Sequence, residues 1–441
     1  MTPTRRAFVV ADLAFGDAGK GTIVDWLVRE HDATLVVRWN GGAQAGHTVV
    51  LDDGRHHTFA QLGAGTFVPG VRTHLAEPVV IHPTGLLVEA RRLAAIGVTD
   101  ALARLTIAES SRVITPYHQA ANRLRELARG AARHGTCGVG VGETVRDALA
   151  HPDDVLRARD LVGDRGALRA KLARIQERIR VSIGDTAADP RERAVLDDTG
   201  IDTRWIAAIA PLGEVVVPDA TLTTMLDEAT VVLEGAQGVL LDEQRGFHPH
   251  TTWSPCTTTA AQELLTTHGW REAVTRIGVL RTYLTRHGEG PFPTEQPGLD
   301  LPEPHNASAG WQGAFRRGWP DLVLARYACA MSGGVDALAI THLDRLANIP
   351  KAAFTYDWRD DDDLVSRDAT GAIALRAGDL AHQARLARGL ARAIPVYEAI
   401  PQHTEAYLEW IAAALAVPVG ITSAGPTTGA KHGRGGIMNC R

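Results

Sequence analysis

An alternation of short apolar runs with longer amphipathic ones constrains this chain of 441 residues more than any other feature. The short runs, rich in β-branched residues, lie at 7–12, 34–38, 79–82, 105–108, 231–234, 277–283 and 337–341. Patterns typical of helices occupy 21–30, 116–133, 166–179 and 379–393. Strands that alternate with helices form βαβ units, in which helices cover both faces of a parallel sheet. The sequence therefore predicts an α/β fold with a large, mostly parallel, doubly wound central sheet.

Composition narrows the class of protein further. The formal net charge of −5 leaves no basic excess for a nucleic-acid backbone, so we expect small-molecule substrates or another subunit as partners. The chain has no apolar run near the roughly 20 residues that span a bilayer. Four widely separated cysteines, without a CxxC pair, suit a reducing cytoplasm. We expect one domain over 1–441, with helical insertions around 110–180 and a Pro- and Gly-rich substrate loop around 289–317.

A glycine-rich turn follows the first predicted strand. Residues 8–22 read FVVADLAFGDAGKGT and lead into an amphipathic helix. Glycines allow backbone N–H groups to converge on phosphate oxygens, and the helix N-terminus and Lys20 add positive charge. The spacing departs from the ordinary P-loop pattern, because Ala14 stands where its first glycine belongs. Asp17 would repel a phosphate unless it binds Mg²⁺ or a proton, so the turn predicts a P-loop-like site, with a ligand-free structural turn as the alternative.

Five further polar stretches carry residues suited to chemistry. They read RWNGGAQAGHT at 38–48, EGAQG at 234–238 with HPHTT at 248–252, RHGEGPFPTE at 286–295, THLD at 341–344 and SAGP at 423–426. A histidine alone, such as His47, is more often structural than functional. Two phosphate-friendly loops at the ends of early strands favour a ligand site, because parallel sheets bind ligands at their carboxyl ends.

The order and wording of these six stretches resemble the adenylosuccinate synthetase family over residues 7–426. The stretches of that family read approximately GDEGKGK, GGNNAGHT, EGAQGTLLD, GAGPFPTE, TKLD and S-x-GP. The resemblance implies the large α/β fold of that family, homodimers that share active sites, and a ligase reaction. In that reaction GTP and Mg²⁺ are used to join aspartate to inosine monophosphate.

The resemblance also implies how the residues act. A purine lactam oxygen is a poor leaving group, so the γ-phosphoryl group of GTP is transferred to it before an amine displaces phosphate. Removal of the ring N–H proton calls for a carboxylate base, which Asp17 would supply while also binding Mg²⁺. His47 would act as acid and stabilise charge at the transferring phosphoryl group, and the Gly46 carbonyl would be a second Mg²⁺ ligand. Positioning and electrostatics would supply most of the acceleration.

The site residues implied by the resemblance fall into three groups. The catalytic residues are Asp17, Lys20, His47 and Gln237. The residues in contact with GTP are Gly16, Asp17, Ala18, Gly19, Lys20, Gly21, Thr22, Gly46, His47, Thr48, His342, Leu343, Asp344, Ser423, Ala424 and Gly425. The residues in contact with the acceptor or the amine are Gln44, Ala45, Thr136, Cys137, Gln237, Thr252, Arg316 and Arg317. Gln237 would hold the purine oxygen, Thr252 the nucleotide phosphate, and Asp344 the guanine N1 and N2 donors.

The sequence departs from the family pattern mainly at substrate contacts. The loop that reads about TTGRxRR in the family binds the aspartate carboxylates, and here residues 310–317 read GWQGAFRR. Aromatic side chains cannot replace bidentate guanidinium groups, so Arg316 and Arg317 are the cations left to compensate. Further departures are Gln44, Cys137, Ala18 beside the base, His342 in place of a lysine, and Trp253 and Cys256 after Thr252.

Three hypotheses follow. We expect a paralogue that keeps phosphoryl transfer but uses a changed amine or acceptor. The alternatives are an authentic adenylosuccinate synthetase with a rebuilt aspartate loop, and a non-catalytic paralogue that binds guanine nucleotide and regulates another process. The presence of Asp17, Lys20, His47 and Gln237 together argues against the regulator. His248, His250 and Cys256 suggest a metal site, but structural polar residues are the preferred interpretation because no second ligand set is visible.

Overall fold

The fold is taken from a computed structural model, which describes residues 5–184, 189–306, 310–358, 364–365 and 372–435. The strands within these ranges are β1 (Ala7–Asp12), β2 (Leu35–Arg38), β3 (His47–Val50), β4 (His56–Phe59), β5 (Arg72–Leu75), β6 (Val80–Ile81), β7 (Leu105–Ala108), β8 (Arg112–Val113), β9 (Val216–Val217), β10 (Val231–Gly238), β11 (Val274–Arg281), β12 (Leu284–His287), β13 (Phe315–Gly318), β14 (Ala337–Thr341), β15 (Lys351–Asp357), β16 (Ile394–Ala399), β17 (Val419–Ser423) and β18 (Lys431–Gly433). The helices are α1 (Lys20–Glu30), α2 (Pro83–Ala95), α3 (Pro116–Ala128), α4 (Val141–Ala150), α5 (Arg165–Ile183), α6 (Pro190–Asp197), α7 (Ile201–Ile209), α8 (Thr221–Asp227), α9 (Thr258–Thr267), α10 (Leu322–Met331), α11 (Leu380–Leu390) and α12 (Thr404–Leu415).

Ten strands form the central sheet, in the order β18-β17-β14-β11-β1-β10-β2-β5-β7-β9. Adjacent strands are parallel throughout, except for the antiparallel edge pair β17 and β18. The predicted α/β fold with a large, mostly parallel sheet is therefore confirmed. The chain runs outward from β1 through β2, β5 and β7 on one side and through β11, β14 and β17 on the other. Such a change of direction opens a crevice at the carboxyl ends of the strands, where doubly wound sheets bind ligands.

Both faces of the sheet are covered, as β1 shows. Phe8 and Val10 pack into the hydrophobic cluster that includes Ile23 of α1. The alternate residue Val9 packs into a second cluster with Leu265 of α9. Side chains alternate between the faces of a strand, so a strand buried on both faces must be apolar at consecutive positions. This requirement explains the continuous apolar run of β1.

Element bounds differ from the sequence-based prediction where polar residues or glycines intervene. The run at 79–82 becomes only β6, which pairs with β8 outside the central sheet. The helix predicted over 116–133 ends at Ala128, shortly before Gly130 adopts a positive φ of 55°. Strand β5 was not predicted, because it carries polar residues such as His74, which bonds to the Thr106 hydroxyl of β7 at 2.9 Å.

The loop predicted over 289–317 is shorter than expected. Its last residues belong to β13, which forms an antiparallel hairpin with β12, and residues 307–309 lie outside the described ranges. Helices α3, α4 and α5 occupy the segment around 110–180 for which helical insertions are predicted. Among the described residues, no helix is both long and apolar enough to cross a membrane.

A close backbone approach at the end of β10 can be tested by substitution. A Cβ on Gly238 would lie 2.1 Å from the Ala14 carbonyl oxygen and 2.3 Å from the Gly16 nitrogen. We expect Gly238→Ala to lower the free energy of unfolding by about 1–3 kcal/mol in denaturant titrations, because backbone atoms must shift. Gly163→Ala is the control, since its Cβ would meet nothing closer than 3.6 Å. Equal stability of the two variants would contradict the close approach.

Candidate active site

The predicted site residues gather along one edge of the central sheet. Strands β17, β14, β11, β1, β10 and β2 are consecutive neighbours in the sheet, and all six run parallel. Their carboxyl ends carry Ser423, Thr341, Arg281, Asp12, Gly238 and Arg38, in that order. Five of the six polar stretches of the sequence therefore lie at neighbouring strand ends along one edge of the sheet, and the sixth, 286–295, begins on the β12 strand of the hairpin.

The glycine-rich turn after β1 leads directly into α1. Gly16, Asp17 and Gly19 adopt positive φ angles of 102°, 62° and 97°, and α1 begins at Lys20. Gly19 at the N-cap has no side chain with which to cap the helix. The N–H groups in the first turn of α1 are thus left to face a ligand, which is the arrangement that favours phosphate binding.

A buried carboxylate holds the shape of this turn. Asp12, fully buried at the end of β1, accepts hydrogen bonds from the backbone N–H groups of Ala14 at 2.9 Å, Gly16 at 3.3 Å and Ala18 at 2.8 Å. It also accepts one from the Lys20 ammonium at 3.2 Å, and the Lys20 side chain is only 2% exposed. The charge predicted to meet a phosphate is therefore paired inside the protein. Sequence reasoning missed Asp12, although an acid that ends a buried apolar strand was a visible signal.

Asp17 lies on the open side of the turn. Its carboxylate is 20% exposed and lies 3.8 Å from the Nε2 atom of His287 on β12. Arg281, at the end of β11, donates from Nε to the Asp17 carbonyl oxygen and also binds the Glu303 carboxylate and the Tyr283 hydroxyl. Asp17 is thus positioned through its backbone, while its carboxylate remains accessible.

His47 is buried behind the turn. Its Nδ1 atom bonds to the Glu234 carboxylate, and its Nε2 atom lies 3.1 Å from the Ala236 carbonyl oxygen. A Cβ on Gly21 would lie 2.8 Å from the His47 Cβ, so a glycine is required where α1 passes this residue. Burial lowers the pKa of His47, and the hydrogen bond to the Glu234 carboxylate opposes this shift.

Glu234 on β10 was missed as a separate functional group by sequence reasoning. Besides His47, its carboxylate accepts the Ala64 N–H at 2.8 Å and lies in the field of Arg38. Burial alone would raise the pKa of Glu234, but Arg38, His47 and the Ala64 N–H outweigh burial and lower it. Arg38, Glu234 and His47 therefore form a buried charged chain that fixes the orientation of the imidazole.

Two orphaned amide atoms mark the predicted acceptor site. The Gln44 Oε1 and Gln237 Nε2 atoms are buried and have no hydrogen-bond partner within the described residues. Both lie at the turn after β2, since a Cβ on Gly41 would be 2.9 Å from Gln237 Nε2 and one on Gly42 would be 3.1 Å from Gln44 Oε1. Buried polar atoms are ordinarily bonded, so this pair points to a polar ligand.

Other predicted acceptor contacts have partners within the protein. The Thr136 hydroxyl accepts a hydrogen bond from the Asn122 amide at 3.0 Å, and the backbone N–H of Thr252 donates to the Leu241 carbonyl at 2.8 Å. Ala45 is buried. Burial raises the pKa of Cys137 to about 11, so this thiol is not an activated nucleophile.

The predicted base pocket lies at the ends of β14 and β17. His342 has a positive φ of 58°, and its ring packs edge-on against Tyr283 at 5.5 Å. Burial lowers the pKa of His342 well below its ordinary value, so the ring is neutral. Leu343 is buried, whereas the Asp344 carboxylate is 34% exposed and lies 3.0 Å from the Arg345 Nε. Asp344 is therefore accessible to a ligand.

A lysine that sequence reasoning missed shapes the other side of this pocket. Lys431 on β18 donates to the carbonyl oxygens of Gly425 at 3.0 Å, Pro426 at 2.9 Å and Thr427 at 2.5 Å. Burial lowers the pKa of Lys431 to about 8. Within the same turn, the Ser423 hydroxyl donates to the Gly425 carbonyl, and the Ala424 N–H donates to the Ala430 carbonyl at 3.1 Å.

The chemistry of the donors fits a hard divalent cation. Among the described residues, no hydrogen bond is formed by the Asp17 carboxylate, and Gly46 is exposed at the start of β3. Mg²⁺ keeps several waters and takes one or two protein oxygens together with substrate phosphates, so a single free carboxylate and a carbonyl are adequate. Thr48 beside Gly46 bonds to the Thr58 hydroxyl at 2.9 Å. Within the described ranges, no cluster of three His, Cys, Asp or Glu could hold a metal ion, and this includes the alternative set of His248, His250 and Cys256.

The hairpin of β12 and β13 separates the two arginines predicted to bind the amine. Arg316 pairs with Arg286 across the strands, binds the Glu295 carboxylate and donates to the Gly288 and Gly290 carbonyls at 3.0 and 2.9 Å. That side of the hairpin borders a cleft of about 480 Å³ that α11 closes. Arg317, next along the strand, points to the opposite side.

A family model and two relatives of similar sequence point to the same family. The family model for adenylosuccinate synthetase matches residues 9–431 of the chain. The adenylosuccinate synthetase of Herminiimonas arsenicoxydans is 31% identical, over 95% of this chain and 96% of that protein. That of Nitrosomonas europaea is 32% identical, over 96% of each.

Two solved structures share the fold. A fully ligated adenylosuccinate synthetase from Plasmodium falciparum superposes with a TM-score of 0.77 at 20% identity, over 97% of this chain and 99% of that chain. The succinoaminodeoxyadenylate synthetase of cyanophage S-2L, bound to dGMP and to dATP as an energy donor, gives a TM-score of 0.60 at 18% identity, over 98% and 95%.

The Asp12–Lys20 pair gives a stability prediction. Asp12→Asn would leave the Lys20 ammonium buried without a counterion, and loss of one partner from a buried pair costs about 3–5 kcal/mol. We expect a loss of that order in the free energy of unfolding. Asp53→Asn, which removes an exposed partner of Arg55, is the control and should leave the free energy of unfolding close to the wild-type value. If both variants unfold at the same denaturant concentration, Asp12 does not hold the turn.

Glu234 gives a prediction on pH dependence. Its pKa is lowered below 4.5 in the folded protein, so the stabilisation it provides is complete above about pH 4.5 and is lost as the pH falls through the folded value. At pH 7, Glu234→Gln should therefore have a lower free energy of unfolding than the wild type. Between pH 5 and 3, where carboxylates titrate, its free energy of unfolding should fall less than that of the wild type, because the variant lacks this carboxylate. The measurement is chemical unfolding across that range, with the exposed Glu228→Gln as control. If the free energy of unfolding of Glu234→Gln fell with pH as steeply as that of the wild type, the interaction of Glu234 with Arg38 and His47 would be refuted.

Proposed function

The chain belongs to the adenylosuccinate synthetase family, whose members are GTP-dependent ligases that form C–N bonds, and on that premise we propose how it acts. It transfers the γ-phosphoryl group of GTP to an oxo group of a purine-nucleotide-like acceptor. An amine then displaces phosphate at the same carbon. The amine, the acceptor or both differ from aspartate and inosine monophosphate.

One observation carries the proposal most directly. The buried chain of Arg38, Glu234 and His47 lies beside Gly21 of the phosphate turn, and Asp17 stands accessible in the same turn. An oriented imidazole and a free carboxylate, held on two elements around one anion site, are the acid and base that oxo-group phosphorylation requires. A protein that only bound guanine nucleotide would have no need of this buried charged chain.

We assign a residue to each proton transfer and to the stabilisation of the transferring group. Asp17 accepts the ring N–H proton, and the acceptor oxygen attacks the γ-phosphorus as the bond to the GDP oxygen breaks. His47 donates a hydrogen bond to the transferring phosphoryl group, whose charge is spread over its oxygens. The amine nitrogen then bonds to the ring carbon, phosphate departs with the C–O electron pair, and the nitrogen loses a proton.

Binding residues follow the row along the sheet edge. The N–H groups in the first turn of α1 hold the phosphates, and Asp344 accepts the guanine donors. The unpaired amides of Gln44 and Gln237 hold the acceptor base. Mg²⁺, held by Asp17 and the Gly46 carbonyl, would neutralise phosphate charge and orient the γ-phosphoryl group.

Changed substrates are supported by the partners of the arginines. Arg316 is engaged by Glu295 and two carbonyls, so it offers nothing to an aspartate carboxylate. Cys137 places a half-buried thiol in the predicted acceptor loop. The cyanophage relative, which binds dGMP and dATP, indicates that this fold accommodates other nucleotides.

Authentic adenylosuccinate synthesis is the second candidate, favoured by 31–32% identity to two such enzymes over nearly the full chain. We further expect a cytoplasmic homodimer.

Turnover of defined substrates tests the proposal. The protein is incubated with GTP, Mg²⁺, inosine monophosphate and a panel of amines that includes aspartate, with GDP release and product mass as readouts. We expect Asp17→Asn and His47→Ala to reduce turnover about 10²–10⁴-fold, because each removes a proton-transfer or charge-stabilising group. Asp53→Asn, on the surface, should match the wild type.

The possible outcomes discriminate among the candidates. Adenylosuccinate formed at a useful rate would overturn the change of substrate and establish the second candidate. GDP release with another amine or another oxo acceptor, lost in both variants, would support the proposal. Wild-type turnover no faster than either variant, across nucleoside and nucleotide acceptors, would leave only a nucleotide-binding protein.

A further inference from the structure

A buried ammonium holds the turn between β17 and β18, residues 424–430, which we call the base turn. Lys431 is 4% exposed and lies directly opposite Ser423 where the two strands pair. Its Nζ atom donates to the carbonyl oxygens of Gly425, Pro426 and Thr427. An ammonium has three N–H donors, so all of them are used inside the protein. Without the cation, three carbonyl oxygens would face one buried space unbonded, so Lys431 fixes the shape of the turn.

The base turn is joined to the helix whose N-terminus faces the phosphates. The Thr428 hydroxyl donates to the Asp25 carboxylate of α1 at 2.7 Å. The Thr22 hydroxyl, in the first turn of α1, lies 3.5 Å from the Pro426 carbonyl oxygen. The shape of the base turn therefore decides where a base lies relative to the phosphate site.

Lys431 is also a positive pole of the predicted base pocket. Its three hydrogen bonds go to neutral carbonyl oxygens, so no bonded carboxylate cancels its charge. Its charge interacts with Asp25 on α1, Asp52 after β3 and Asp344 after β14. Burial, together with nearby cations that include Lys431, lowers the pKa of His342, so that ring is neutral. The positive charge on the β18 side of the pocket is therefore that of Lys431.

The two poles of the pocket match one purine base better than another. The Asp344 carboxylate is accessible on the β14 side, and the Lys431 ammonium is held behind the base turn on the β18 side. Guanine carries a carbonyl oxygen beside N–H groups on one edge, whereas adenine has an amino group in place of that oxygen. A carboxylate accepts bonds from N–H groups, and a positive potential favours a carbonyl oxygen over an amino group. The arrangement favours guanine and opposes adenine.

We propose that Lys431 is a positioning residue that makes the phosphoryl-donor site selective for guanine. It contacts no ligand itself. It holds the base turn in the shape that receives the base, and its charge favours the carbonyl edge of guanine. The inference rests on the proposed function, because it takes a guanine nucleotide to be the phosphoryl donor.

Calorimetric titration of the full chain with GDP and with ADP, in the presence of Mg²⁺, tests the role of Lys431. Both nucleotides present the same diphosphate to α1, so the ratio of their affinities reports on the base. We expect the wild type to bind GDP more tightly than ADP by about tenfold or more. Lys431→Met, which removes the charge and three hydrogen bonds, should weaken GDP by about fivefold or more and ADP by less than about twofold. General damage to the site would instead weaken both nucleotides alike.

A pH profile of the wild type needs no variant and serves if Lys431→Met does not fold. Burial lowers the pKa of Lys431 to about 8, against the opposing charges of Asp25, Asp52 and Asp344. The ammonium is therefore present at pH 7 and mostly neutral at pH 8.5. The GDP preference of the wild type should fall about threefold between these pH values, while that of Lys431→Met stays level. A wild-type preference that does not change would overturn the inference.

Lys171→Met is the matched control. Lys171 on α5 likewise donates to a carbonyl oxygen, that of Val155 at 3.1 Å, and its loss should change neither affinity by more than about twofold. An unchanged GDP preference in folded Lys431→Met, or an equal loss of both nucleotides, would overturn the inference alone. Equal wild-type affinity for GDP and ADP would also overturn it, although ligation with either triphosphate would leave phosphoryl transfer intact. Failure of the wild type to bind either nucleotide would overturn the proposed function as well.

Discussion

The Asp12 carboxylate is the interaction on which the geometry of the site depends. It lies at the carboxyl end of the central strand β1, where the chain must turn sharply before α1 begins. Three backbone N–H groups and the Lys20 ammonium converge on it, so the turn keeps its shape without a ligand. A loop that is already ordered loses little conformational entropy when a nucleotide binds. The first turn of α1, rather than the N–H groups bound to Asp12, is then free to meet phosphates.

A second ordering element acts from β11. Arg281 binds the Asp17 carbonyl, the Tyr283 hydroxyl and the Glu303 carboxylate, and so connects the phosphate turn to the segment that joins β12 and β13. Asp17 has a positive φ of 62°, a conformation that costs free energy for a residue other than glycine. The guanidinium compensates by holding the carbonyl in place, which leaves the carboxylate without a competing bond. The proposed base is thus oriented by its backbone and not by its reactive group.

The sequence predicted the row of polar segments because the carboxyl ends of parallel strands meet at one edge, and apolar runs such as β1 are easily recognised. It did not predict partners that only the fold brings together. Glu303 follows Arg281 by 22 residues, and Glu234 follows His47 by 187. Nor could it assign Arg316 and Arg317 to different sides, because the glycines and prolines at 289–317 indicated a loop where β13 forms. Strand β5 was missed for the converse reason, since burial of His74 becomes acceptable only once Thr106 lies beside it.

The two parts of the proposed chemistry depend on different parts of the fold, because phosphoryl transfer involves the central sheet and the reaction with the amine involves the hairpin. The phosphate turn, Glu234 and His47 are bound to the central sheet, where any change of size or charge disturbs packed strands and buried ion pairs. The segment that replaces the amine-binding loop of the family belongs to a two-stranded hairpin outside that sheet, in which side chains alternate between two sides, one of which lines a cleft. A substitution at Phe315 or Arg317 alters one side of the hairpin and leaves Arg316 and Glu295 in place on the other. Under the proposed function, this separation would let the hairpin change its contacts with the amine while the groups for oxo phosphorylation stay in place.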